Sequence, residues 1–285
     1  MTKITYSSDK KSFSYFDLLP WKIFIHLFKY RALIISTVTH DFRATYQASY
    51  FGIAWQVILP AIMIAIFYFV FGEIFGGRFL NDGKESPFEY ALALYIGLGI
   101  FNFTSQVMNS SISLITSNSS FVKNLSYPLE VISIISVINN LINLIIGLIL
   151  CFLFFIIYKS FIYPSIISII FFLICLFLGG IGISWIISST SVFIRDIGVV
   201  ISPIALLLMF LCPIFYPMSM VPKNVKCVIE INPLANIIEG ARAAFMYGVW
   251  PNLLGSIAIF TFSMSLFIFG YFVFMKTKSA FADVL

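Results

Sequence analysis

NSSFVKNLSYPLEV, residues 118–131, is a polar interval between two long apolar runs, 90–115 and 131–158. Phe121, Val122 and Leu125 cluster at helical spacing around Lys123, and Ser119 or Ser120 is placed to cap a short helix. Pro128 disfavours helical geometry at Tyr127, so that helix must end or turn there. The flanking runs match a hydrocarbon core of about 30 Å, which takes about 20 apolar residues at about 1.5 Å each. The stretch therefore reads as a short amphipathic helix between two membrane spans. It is either an ordinary interfacial turn or a knob that takes force from a soluble partner.

Working outward, the whole chain has the same character. Of 285 residues, 60% are hydrophobic and only 10% charged, more apolar surface than a soluble domain can bury. Long uniform runs rather than short alternating segments exclude an outer-membrane barrel. The expected fold is all-α and polytopic. The net charge of +5 comes from scattered basic residues flanking apolar runs, which gives no nucleic-acid footprint. Cys151, Cys175, Cys212 and Cys227 have no metal or redox spacing, and the first three lie in apolar runs as small hydrophobes. The first 17 residues are polar, with no cleavable signal pattern.

Residues 1–50 read as a cytoplasmic tail and an amphipathic segment. Leu18, Trp21, Ile25 and Phe28 share one helical face, and Lys22, His26 and Lys29 another, as suits a helix lying in the headgroup plane. His26 and His40 stand alone in the sequence, as solvated or interfacial histidines rather than ligands. DFRATYQASYFGIAWQVILP, residues 41–60, is a charged approach and aromatic anchor leading into the first span, which runs to about Phe71. A membrane domain over 51–275 then carries six spans, the others being 90–115, 131–158, 165–192, a run from 197 to 212, and 253–275.

Asn139 and Asn143 share a face of the third span, where buried amides act as interhelical glue at about 0.6 kcal/mol each. Gly180, Ser184 and Ser188 form a smooth stripe for a close helix approach. After the fifth run, Pro213, Pro217 and Pro222 break the chain. Residues 222–250 are too charged to cross at an ordinary cost of about 2.5–3.5 kcal/mol per central charge. Two short helices dipping in and out, joined at Asn232–Pro233, fit better; such backbone survives at membrane depth only if covered by protein or lining a cavity. Glu239 and Arg242, three apart, can neutralise each other on one face. Six spans put both ends on one side. The basic excess on the termini and on segment 118–128 makes that side the cytoplasm, with 276–285 as a second cytoplasmic tail.

Some chemistry is absent from the sequence. There is no H-E-x-x-H, no pair of intramembrane carboxylates for acid–base work, and no phosphate-binding loop at Gly83–Lys84. The chain has a pathway-like end and no energy source of its own. A membrane-embedded glycosyltransferase would need a carboxylate or histidine facing a cavity, and the spans offer none.

In order and spacing, several of these pieces resemble the permeases of bacterial ABC exporters for cell-surface polysaccharides. Arg43, Tyr46, Ser49, Gly52, Trp55 and Pro60 resemble that family's entry motif, and Val122–Lys123–Asn124 with Tyr127–Pro128 its coupling helix. Arg195–Asp196, the 213–217 run and Asn232–Pro233–Leu234 complete the pattern over residues 20–275. The likeness is best to O-antigen exporters of lipopolysaccharide assembly, then to teichoic-acid and capsule exporters; a drug or small-lipid exporter of the same architecture is the alternative within transport.

The resemblance implies a homodimer of permeases with two separate ATPase subunits, in the bacterial inner membrane. ATP and Mg would be held by the partner, and no cofactor by this chain. The substrate would be a lipid-linked polymer. Phe121, Val122, Lys123, Asn124, Leu125, Tyr127 and Pro128 would contact the ATPase. The region 213–250 would be an external re-entrant gate, with Pro213, Pro217, Asn232, Pro233, Glu239 and Arg242 its shaping residues. Among 33 Phe and 14 Tyr, most are explained by lipid-facing packing, and Tyr68, Phe71, Phe215 and Tyr216 are placed to line a channel on which sugar rings slide.

Overall fold

A computed structural model describes residues 20–47, 50–76, 86–122 and 127–284. Among the described residues every regular element is helical. Five helices are long and apolar enough to cross a membrane: α3 (Gly52–Ile74), α4 (Pro87–Ile112), α6 (Glu130–Lys159), α7 (Pro164–Ser191) and α11, which runs from Leu253 to Thr277 and on to Val284. Before α3 lie α1 (Pro20–Lys29) and α2 (Arg31–Gln47), and α5 (Ser119–Val122) lies between α4 and α6. After α7 come α8 (Ile197–Phe210), α9 (Lys223–Ile231) and α10 (Pro233–Met246).

The fifth apolar run differs from the expected full span. α8 has 14 residues, about 21 Å of helix against a core of about 30 Å. It stops because Pro213 and Pro217 deny the next turn its donors, and irregular backbone follows from Leu211 to Pro217. α3 runs past the expected end at Phe71 and widens into a π-helical segment over Tyr68–Ile74. α4 starts sharply: Ser86 accepts from Glu89 N at 3.2 Å while the Glu89 carboxylate takes Ser86 N at 2.9 Å, with Pro87 in the first turn. That same Glu89 is buried and forms an ion pair with Lys159 at the far end of α6.

The core is built on α4, α6 and α7, with α11 packed along α7. The stripe of small residues on α7 faces α4 and α6: Ser111 bonds Ser184 at 2.8 Å, Ser133 lies 3.4 Å from Ser188, and Gly180 packs on Phe103 and Val137. The tightest approach is elsewhere on the same helix. A Cβ at Gly182 would sit 2.3 Å from Leu266 O, and one at Gly270 would sit 2.4 Å from Gly182 O. α7 and α11 thus cross backbone to backbone, through a glycine outside the recognised four-residue repeat.

α1 is amphipathic in a different sense from the one expected. Trp21, Ile25 and Phe28 point outward, and Ile23 and Leu27 are buried in the core. The helix therefore has two apolar sides, one packed on the bundle and one exposed. Cys151, Cys175 and Cys212 are buried and Cys227 is exposed.

Candidate functional site

Three groups of residues are organised well beyond what packing requires. The first surrounds the break after α8. Asn232 caps α10 by accepting from Leu234 N at 3.0 Å, and its amide donates back to Leu211 O at 3.2 Å. The junction expected between two short helices is thereby tied to the end of α8. Arg242, on the third turn of α10, is 1% exposed. Its guanidinium donates to Pro213 O at 2.9 Å, Ile214 O at 3.3 Å, Ala93 O at 3.3 Å and Glu239 at 3.2 Å. The expected Glu239–Arg242 pair exists, but it is lopsided, because the Glu239 side chain is 43% exposed. Most of what satisfies the buried cation is backbone carbonyl, two of the three carbonyls belonging to the helix break and the third to α4. Neutralising Glu239 therefore leaves Arg242 partnered, contrary to the sequence-based expectation that the two depend on each other. Gly97 of α4 makes room for the guanidinium, whose Nη2 would lie 2.7 Å from a Cβ there. Pro213 and Pro217 are both buried.

Next to this break the candidate channel aromatics divide. Phe71 and Phe215 come together with ring centroids 6.0 Å apart, and Phe71 also meets Phe67 and Phe75. Tyr68 packs on Phe88 and donates to Glu73 at 2.7 Å. Tyr216 turns away, donating to Phe210 O at 2.7 Å. Tyr90, not singled out in the sequence, donates to Phe215 O at 3.1 Å and fixes the irregular segment after α8 to α4.

The second group lies at the opposite end. Phe121 is 39% exposed and stacks on Tyr127 at 4.5 Å, whereas Val122 is buried in the chain's own core. Of the residues assigned to a partner-binding helix, Lys123, Asn124 and Leu125 lie outside the described residues. The same holds for Ser49 of the entry motif. Burial, with the charge of Asp41 behind it, pushes the Tyr127 phenol above its ordinary value.

Two residues beyond Pro128, Glu130 is 1% exposed. Its carboxylate meets Lys278 Nζ at 2.6 Å and His26 Nε2 at 2.8 Å, and its carbonyl accepts from Trp185 Nε1 at 3.0 Å. Through its carboxylate and its backbone carbonyl, this one residue gathers α1, α6, α7 and the end of α11. His26 is not the isolated interfacial histidine expected from sequence. Its partner lies 104 positions away, and only the fold reveals it.

The third group lines the crevice between α3, α4 and α6. Gly52 opens α3 at φ +52°, a left-handed turn that suits glycine. This turn delivers Trp55, Gln56 and Pro60 to a cavity of about 290 Å³. Gln56 donates to Asn143 at 3.0 Å, and Asn139 donates to Asp41 at 3.3 Å. These two amides join α6 to α3 and α2 as interhelical glue. Arg43 is exposed on α2, beside a small hollow with Ser36 and His40. Of Tyr46 only the helical backbone is described. Among the described residues no His, Cys, Asp or Glu cluster could hold a metal ion.

Residues 32–246 match the family profile described as ABC-2 type transporter. Two O-antigen export system permease proteins RfbA from Klebsiella pneumoniae are 31% and 29% identical over 262 residues, which cover 89% of this chain and 95% of theirs. A third protein of that name, from Myxococcus xanthus, is 21% identical over 261 residues, covering 90% of this chain and 96% of its own.

Proposed function

The chain belongs to the ABC-2 type transporter family, and from that premise we propose that it exports a lipid-linked polysaccharide across the bacterial inner membrane, as the permease subunit of an ATP-driven transporter. It is a transport component rather than an enzyme, as its permease relatives are. Permeases of this family work with an ABC ATPase, and on this reading ATP and Mg are held entirely by that partner. The likeness to O-antigen export permeases, running the length of both chains, is the observation that carries the proposal. It favours O-antigen over teichoic acid, capsule, or a drug or small lipid as cargo.

In this reading two permeases and two ATPases form the transporter. α8 and the broken segment after it act as the sixth span, with both termini cytoplasmic and α1 in the headgroup plane. α9 and α10 form an external re-entrant gate whose inner face is pinned by Arg242. Residues 118–128 are the coupling helix, and the cluster of Phe71 and Phe215 lies on the polymer's way out. Support for the gate comes from chemistry: a buried arginine that satisfies the carbonyls of a helix break lets irregular backbone exist at membrane depth.

The test is deletion of the permease in a host that makes the matching polymer. Surface polymer is expected to disappear while its lipid-linked form accumulates inside, and the wild-type chain should restore display. Normal display after deletion would refute the assignment.

A further inference from the structure

The amides of the α3–α4–α6 crevice do not all act as glue. Asn102 and Gln106 of α4 are exposed, line the 290 Å³ cavity, and make no hydrogen bond within the described residues. Asn102 is 15 residues from the start of α4, and Asn143 is 13 residues from the start of α6. That puts each about 20 Å along its helix, close to mid-depth in a core of about 30 Å. An amide at that depth without a partner is costly, so a side chain placed there must meet water or a polar ligand.

Spacing extends the feature. On α4, Asn102, Gln106 and Ser110 recur every four residues and share a face. On α6, Ser136, Asn140 and Asn143, spaced four and then three apart, also share a face, and Ser110 and Ser136 meet at 3.2 Å. Asn140 lines both this cavity and a second one of about 520 Å³, which reaches Asn118, Phe121 and Tyr127 beside the coupling segment. The two hollows thus share a wall, and a strip of amides and hydroxyls runs from the coupling end to the middle of the bundle, with Asp41 and His40 beside it in the second hollow. Trp55 and Tyr95 flank its upper part.

We infer that this strip is a binding track for the hydroxyl groups of a neutral sugar polymer, through which the glycan is held in the inner half of the permease. The inference rests on the polysaccharide-export reading above. Amides offer a donor and an acceptor each and match hydroxyls without charge. Aromatic rings beside them cover the apolar faces of sugar rings, and the volume sits at the lower end of the roughly 300–1,000 Å³ typical of ligand sites. A charged phosphate would call for arginine or lysine; among the described residues none lines either cavity, and the carboxylate of Asp41 in the second would repel an anion. The aromatic cluster at Phe71 and Phe215 lies farther along the chain's outer end, so the track supplies contacts on the side of entry.

The test uses the full transporter in a polymer-producing host, with Asn102→Leu and Gln106→Leu singly and together, and the amide-conserving pair Asn102→Gln and Gln106→Asn. Two lost contacts should lower surface polymer about tenfold in the double leucine variant, with membrane level, ATPase association and melting temperature unchanged. The amide-conserving pair should keep at least half the display. Equal display by the double leucine variant would overturn the track. So would a loss shared by both pairs together with a lowered melting temperature, because that marks a packing role.

A second measurement does not depend on the leucine variants folding. In a background lacking the native cysteines, Asn102→Cys should react with a small charged methanethiosulfonate, while Ile149→Cys, exposed on α6 but lining neither cavity, should not. Lack of reaction at both positions would refute a polar track. Absence of export by the wild-type chain would instead overturn the export reading.

Discussion

Glu130 Oε2 accepts a hydrogen bond from Lys278 Nζ at 2.6 Å, joining the start of α6 to the end of α11 across 148 residues of chain. The carboxylate side chain is 2% exposed and the lysine 29%. The cost of the pair is therefore carried by the glutamate, which cannot reach solvent if its partner is removed, whereas Lys278 can. His26 supplies the remaining hydrogen bond from α1. The pair sits two residues after Pro128, at the head of α6; on the proposed reading a push on segment 118–128 would enter α6 there.

Lys278→Met is expected to destabilise the detergent-solubilised protein by about 1–3 kcal/mol, less than the loss of a fully buried partner because His26 remains. Adding Glu130→Gln should return part of that loss, since the uncompensated charge is gone. Thermal unfolding of the two single variants and the double variant measures the coupling. Strict additivity would show that the two residues do not depend on each other.

Arg242 gives a sharper contrast. Arg242→Met removes a buried cation from three backbone carbonyls and should cost about 3 kcal/mol or more, whereas Glu239→Gln should cost less than about 1 kcal/mol because those carbonyls remain. Arg242→Lys should not rescue, because one ammonium cannot span the fork from Ala93 to Pro213 and Ile214. Melting temperatures of the purified variants test the order; a large loss in Glu239→Gln would contradict it.

The α7–α11 crossing predicts a position-specific glycine effect. Gly182→Ala places a methyl against Leu266 O and should destabilise by at least about 1–3 kcal/mol. Gly255→Ala, on α11 with open space around it, should be neutral or stabilising by up to about 1 kcal/mol. Equal effects at both sites would mean that the helices do not cross at Gly182.

Charge asymmetry predicts the orientation. In a background without native cysteines, an impermeant thiol reagent applied from outside should label Asn224→Cys on α9 and should not label Asn118→Cys or Lys276→Cys. The reverse pattern would invert the topology.

How much of this was legible in the sequence depends on range. Five spans, the α9–α10 junction at Asn232–Pro233 and the three-residue spacing of Glu239 and Arg242 are local patterns, set by hydropathy, proline and helical period. Asn139 and Asn143 read correctly as glue for the same reason. Glu130 was passed over because a single acidic residue at the head of an apolar run carries no signal until Lys278 and His26 are folded against it. The carbonyl partners of Arg242 leave no mark in the sequence at all, and Gly182 is hidden because its partner surface is backbone. The helix of the fifth run is shorter than its apolar pattern suggests: residues 211 and 212 continue the pattern, but the prolines behind them end α8 at Phe210.

The central claim is that this chain conducts a polymer and draws its energy through contact with a separate ATPase. ATP-driven entry of lipid-linked polymer into inverted inner-membrane vesicles tests it most directly, using the wild-type permease, the Phe121→Ala variant, and vesicles without permease. Removing an aromatic anchor from a docking surface costs about 2 kcal/mol or more. The account predicts that entry needs both ATP and the permease, and that Phe121→Ala abolishes entry and releases the ATPase while the permease stays folded in the membrane. Entry without the permease, or full ATP-driven entry with Phe121→Ala and an undiminished ATPase complement, would contradict it.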